Sequence, residues 1–154
     1  IIDYLQYDWS ALLICTAVCR TWHARAQKYL PTGYKHVIVL SSREDVRRLS
    51  RCARERVLST RAVQVRGDDH ASLGHLETFA AMLSGQLQDF NELQIVDGIW
   101  RTDVLHVRIL FRCLSTFTGI RRLTLRNVNF PSAMELAGML VALPNLFSLE
   151  CVNI

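Results

Sequence analysis

Two groupings of reactive side chains stand out in this 154-residue sequence. Asp68-Asp69-His70, with His75 shortly after, sets carboxylates beside imidazoles, the materials of general acid–base work. No nucleophile with a partner base and no glycine-rich phosphate loop accompanies them, so an ordinary charged turn is expected. Cys15-x3-Cys19-x3-His23 has helical spacing, which would place two thiols and an imidazole on one face. Structural zinc wants four ligands and no fourth stands nearby, so these cysteines are expected to be buried thiols. His36 and His106 read as lone surface or packing residues. The expectation is a protein without catalytic residues, metal or cofactor, and hence not an enzyme.

Half of the residues are apolar, enough to bury a core, and no apolar run approaches the roughly 20 residues of a membrane-spanning helix. The formal charge of +4 is concentrated: eight arginines against three acids between Arg43 and Arg66 give +5 there and −1 elsewhere. The helix over Arg43–Arg56 thus carries the basicity. With no aromatic stacking group beside it, nucleic acid is not an expected partner. A solvated outer face is expected there, with an acidic protein patch as the functional alternative. An odd number of cysteines, five, and the lack of any Asn-x-Ser/Thr acceptor point to a reducing compartment, cytoplasmic and/or nuclear.

The elements that must position these residues fall into two parts. Residues 10–30 read as one amphipathic helix, with Leu12, Cys15, Cys19, Trp22, Ala26 and Tyr29 on one stripe, Ser10 as N-cap and Pro31-Thr32-Gly33 as the stop. Ile1–Leu5 reads as the tail of an earlier helix. From residue 34 an apolar spacing x, x+3, x+5 recurs: Tyr34-Val37-Val39, Thr60-Val63-Val65, Phe90-Leu93-Ile95, Ile120-Leu123-Leu125 and Leu146-Leu149-Cys151. The intervals are 26, 30, 30 and 26 residues, each holding a helix pattern. Ser41-x-x-Glu44 and Ser132-x-x-Glu135 read as capping boxes, Thr102 as a cap, and Ser72 as the start of the second helix. Such units cannot bury both faces alone. The expected fold class is therefore α/β, a solenoid of about four strand–helix units over residues 34–154, with parallel strands on one face and helices on the other. Trp100 is expected to fill the apolar column that Phe130 fills in the next repeat.

Ile120-Arg-Arg-Leu123-Thr-Leu125-Arg-Asn-Val128-Asn-Phe130 resembles the leucine-rich repeat L-x-x-L-x-L-x-x-N-x-L. The asparagine column is poorly kept, with Ser42, Asp68, Gly98, Val128 and Ile154 falling there. Ile1-Ile-Asp-Tyr-Leu5, Asp8-Trp9-Ser10-Ala11-Leu12 and above all Ala17-Val18-Cys19-Arg20-Thr21-Trp22 resemble the F-box. The sequence starts at Ile1 without Met and stops at Ile154 within a strand-like pattern, so it reads as a piece of a longer protein, and the Leu-Pro that opens the family motif is expected upstream of Ile1.

This resemblance implies a substrate-recognition adaptor of a Skp–cullin–F-box ubiquitin ligase, with an F-box-like segment at 1–30. Ile2, Leu5, Leu12, Val18, Cys19 and Trp22 would contact the Skp-type adaptor, and through it the cullin ligase. The outward sheet positions Gln64, Arg66, Gln94, Thr124, Arg126 and Glu150 would face an unidentified protein substrate, and no membrane is expected as a partner. The alternative is a general repeat scaffold, with the N-terminal helix acting only as a cap.

Overall fold

The computed structural model describes residues 15, 18–27, 37–54, 60–87 and 90–154. The chain divides into two compact units, residues 1–36 and 37–154.

In the first unit, helix α1 runs over Arg20–Gln27. Cys15 is helical, but Val18 lies in a turn and Cys19 outside any helix, so one continuous helix over 10–30 is not formed. The new helix starts behind the break, where the His23 N–H donates to the Cys19 carbonyl at 2.8 Å. Cys15 and Ala26 are buried and Trp22 is half-buried, whereas Cys19 is exposed. The break therefore also undoes the single face expected for Cys15, Cys19 and His23.

The second unit is α/β. Strands β1 (Val37–Leu40), β2 (Ala62–Arg66), β3 (Glu92–Ile99), β4 (Arg122–Asn129) and β5 (Ser148–Val152) form one sheet in chain order. All four pairings are parallel. Parallel neighbours need a crossover of a dozen residues or more, and each interval supplies one with a helix. These are α2 (Arg43–Arg54), α3 (Gly74–Leu83), α4 (Val107–Leu114) and α5 (Ala133–Val141). Among the described residues, no helix is long and apolar enough to cross a membrane.

The register follows the recurring spacing from β2 onward. Val63, Leu93, Leu123 and Leu149 are paired in a row, as are Val65, Ile95, Leu125 and Cys151. The inward members on β2, β3 and β4 join the buried faces of the four helices in one core, through Leu49, Phe79, Leu110 and Met139 among others. The carbonyl ahead of β2, β3 and β4 repeats a second device. Arg61 O accepts from the N–H groups of Asn91 and Glu92, Asn91 O from Arg121 and Arg122, and Arg121 O from Phe147 and Ser148, all at 2.9–3.0 Å.

The first strand departs from the expected phase. Ile38 pairs with Val63 and Leu40 with Val65, so Leu40 is buried and Val39 is 47% exposed. Val37-Ile-Val-Leu40 is apolar throughout, leaving no alternation to fix which residues face inward. The first helix boundary also shifts by one. Ser42 Oγ accepts from the Asp45 N–H at 3.2 Å, while Asp45 Oδ2 accepts from the Ser42 hydroxyl at 2.8 Å and from the Ser41 N–H at 3.1 Å. The box is thus Ser42-x-x-Asp45, which leaves Glu44 on the outer face. Ser132 caps α5 as expected, accepting from the Glu135 N–H, but the expected box stays half-formed: Glu135 Oε2 is buried and meets no hydrogen-bond partner among the described residues. Thr102 does not cap α4; it lies in a turn, and the helix begins five residues later at Val107. Trp100 is buried against Phe130, with ring centroids 5.0 Å apart, so it fills the apolar column.

Candidate binding face of the sheet

Side chains alternate along a strand, so the positions between the core columns make a second face. Its rows follow from the register: Gln64, Gln94, Thr124 and Glu150 in one, Arg66, Val96, Arg126 and Val152 in the next, Ala62, Glu92, Arg122 and Ser148 in the third. All six expected sheet-face residues therefore fall in two adjacent rows. Neighbouring rungs are about 4.8 Å apart across the strands.

The charges on this face pair with one another across neighbouring strands. Arg66 Nε lies 3.5 Å from Asp97 Oδ2, Arg126 Nη2 lies 3.8 Å from Glu150 Oε1, and Arg122 Nη1 lies 3.9 Å from Glu92 Oε2. Glu92 is buried and also accepts from Gln94 Nε2 at 2.8 Å. The three arginines and three carboxylates cancel, leaving half-exposed amides and a hydroxyl, Gln64, Gln94 and Thr124, across the middle.

Along one border runs a ladder absent from the sequence reading. Asp97, Asn127 and Asn153 all have left-handed backbone, with φ of 52°, 52° and 54°. Asn127 Nδ2 donates to Asp97 Oδ1 at 2.8 Å, and Asn153 Nδ2 donates to Asn127 Oδ1 at 3.1 Å. Asn and Asp tolerate this backbone better than other side chains. The ladder stands one residue before the expected asparagine column, whose Val128 is instead buried. The left-handed residue resets the alternation: Arg126 and Asn127 are both exposed before Val128 turns inward. The signal in the sequence was the recurrence of Asp/Asn at 97, 127 and 153, on the same 30- and 26-residue intervals as the strands.

The other groupings bond within turns and at helix starts. Asp68 Oδ1 accepts from the N–H groups of His70 at 2.9 Å and Ser72 at 2.8 Å, closing the turn in which Ala71 takes a φ of 56°. These bonds, led by that from Ser72, hold the Asp68 carboxyl below its ordinary pKa. His75 is buried at the start of α3, and its Nε2 meets no hydrogen-bond partner among the described residues. Burial pushes its pKa below the ordinary histidine value, against the opposing pull of the Arg66 and Leu40 carbonyls. His106 is not alone: Nδ1 lies 3.2 Å from Glu77 Oε2, which also accepts from the His106 N–H at 3.1 Å. This pair borders a groove of about 340 Å³ between α2, α3 and the segment before α4, with Arg43, Met82 and Val104 on its walls. Among the described residues, no group of three His, Cys, Asp or Glu side chains is placed to hold a metal ion.

Of the expected adaptor contacts, Val18 is 57% exposed, Cys19 is exposed and Trp22 half-buried. Ile2, Leu5 and Leu12 lie outside the described residues. No protein-family model matches the chain, and no curated protein or solved structure shows significant similarity to it.

Proposed function

We propose that this protein is a non-catalytic substrate-recognition adaptor of a Skp–cullin–F-box ubiquitin ligase, its second unit being a solenoid of the leucine-rich-repeat kind. The observation that supports it most is the break at Val18 and Cys19, which leaves both side chains exposed within the most F-box-like stretch of the sequence. An aliphatic side chain held out on a turn is free to enter a partner's apolar pocket, where burial of its methyl groups would contribute to binding. The adaptor would act by proximity, raising the effective concentration of a substrate's lysines at the transfer centre. The substrate would lie on the amide and hydroxyl row of the sheet. Val18→Asp tests this reading: immobilised protein should lose capture of a Skp-type adaptor while its melting temperature stays unchanged. Undiminished capture would refute Val18 as the docking residue.

A second reading, a repeat scaffold without a ligase link, is favoured by the self-contained pairing of the sheet's charges, which suits any uncharged peptide surface. Capture by the adaptor separates the two.

A further inference from the structure

We infer that the outer face of α2, with the groove beside it, docks an acidic peptide segment carrying an apolar residue at one end. α2 holds five arginines against two acids, and one of those acids is spent on the helix cap. The other, Glu44, is shared by three guanidinium groups, Arg47 at 3.8 Å, Arg48 at 3.6 Å and Arg51 at 3.3 Å. One carboxylate cannot neutralise three cations, so the face stays strongly positive.

All five arginines are exposed. Arg43, Arg47 and Arg51 follow each other at i, i+4, where like charges weaken a helix. Val46 and Leu49, buried on the opposite side, hold this unfavourable arrangement in place. An acidic partner would relieve it, and carboxylates on a partner helix recur at the same spacing of about 6 Å.

The groove decides the class of partner. Arg43 belongs both to the arginine stripe and to the groove wall, where Met82 and Val104 supply apolar surface. The rest of the wall is the Glu77–His106 pair, Thr78 and small residues, so a segment that meets guanidinium groups and then the Met82 and Val104 side of this slot is a peptide with carboxylates followed by an aliphatic side chain. A nucleic-acid backbone offers nothing to such a slot, and the described face of α2 carries no aromatic residue on which bases could stack.

The test is fluorescence anisotropy with a synthetic peptide of about four helical turns, glutamates spaced i, i+4 and a terminal leucine. Saturable binding that weakens with salt is expected, with a loss of about tenfold or more in R47E/R51E. R47Q/R51Q, which removes charge without reversing it, should lose affinity in the same direction. R108E/R112E, on exposed arginines of α4, should stay within about twofold of the parent. Equal loss in that control would overturn the site in favour of general charge attraction. Unchanged affinity when serine replaces the leucine would remove the groove from the site. Tighter binding of a DNA duplex of equal charge, lost in R47E/R51E, would make the face a nucleic-acid surface instead. Circular dichroism of each variant confirms that it is folded.

Discussion

Asn127 Nδ2 donates to Asp97 Oδ1 at 2.8 Å across thirty residues of sequence, from one left-handed backbone position to its counterpart on the neighbouring strand. This bond and its successor from Asn153 fasten consecutive strand ends at the point where the side-chain alternation resets. Asn127→Ala removes both ladder bonds and puts a less tolerant residue at φ 52°. It should cost about 1–2 kcal/mol by urea denaturation. Paired with Asp97→Ala in a double-mutant cycle, it should show a coupling of roughly 0.5–1.5 kcal/mol. Strict additivity would mean that the ladder holds nothing together.

Gly67 follows β2, and a Cβ added there would run into the backbone carbonyl of Asp97. A backbone atom cannot step aside as a side chain can. Gly67→Ala should therefore destabilise the fold by about 1–3 kcal/mol. At Gly138 the nearest atoms to an added Cβ belong to the Phe111 ring, a side chain rather than backbone, and alanine gains helix propensity, so Gly138→Ala should cost less. Thermal melts of the two variants check the order.

Acid should weaken this fold in two stages. His75 is held below the ordinary histidine pKa by burial, so the unfolded chain takes up a proton first as pH falls through the ordinary value near 6.5. Stability is then lost progressively below that pH, down to the folded-state pKa. The depressed Asp68 carboxyl adds stability above its unfolded pKa, and this is lost as pH falls further, through the folded value. His75→Gln should flatten the first stage alone, and an unchanged pH profile of melting temperature in that variant would contradict the assignment. Asp68→Ala should cost about 1 kcal/mol at neutral pH, toward the low end for two hydrogen bonds because the turn is exposed.

Phe147 stands 92% exposed at the position that Arg61, Asn91 and Arg121 occupy in the preceding units. Phe147→Arg should leave stability within about 0.5 kcal/mol. It should also reduce any concentration-dependent association seen by light scattering, because it removes the most exposed aromatic ring at the β5 edge. Increased association in the variant would contradict this.

The sheet was legible where polar and apolar residues alternate. Val63-Gln-Val65, Leu93-Gln-Ile95 and Leu123-Thr-Leu125 each declare an inward face, and their columns pair as read. Val37-Ile-Val-Leu40 declares none, and the register there slipped by one. Overlapping caps were ambiguous in the same way: Ser41-x-x-Glu44 and Ser42-x-x-Asp45 both fit, and only the folded turn selects the second. Leu73, Leu105 and Phe117 lie outside regular elements, so periodicity could not mark them as core, although all three are buried. From β2 onward the outward positions follow the alternation, but alternation does not show their mutual neutralisation. It depends on pairs such as Arg126 with Glu150, which meet only when strands 26 residues apart lie side by side.

The most direct test of the proposed role is co-expression of the protein with a Skp-type adaptor of its own cell, followed by size-exclusion chromatography. A stoichiometric complex that Val18→Asp disrupts is expected. A folded, monodisperse protein that elutes apart from the adaptor would contradict it and leave a repeat scaffold with another partner.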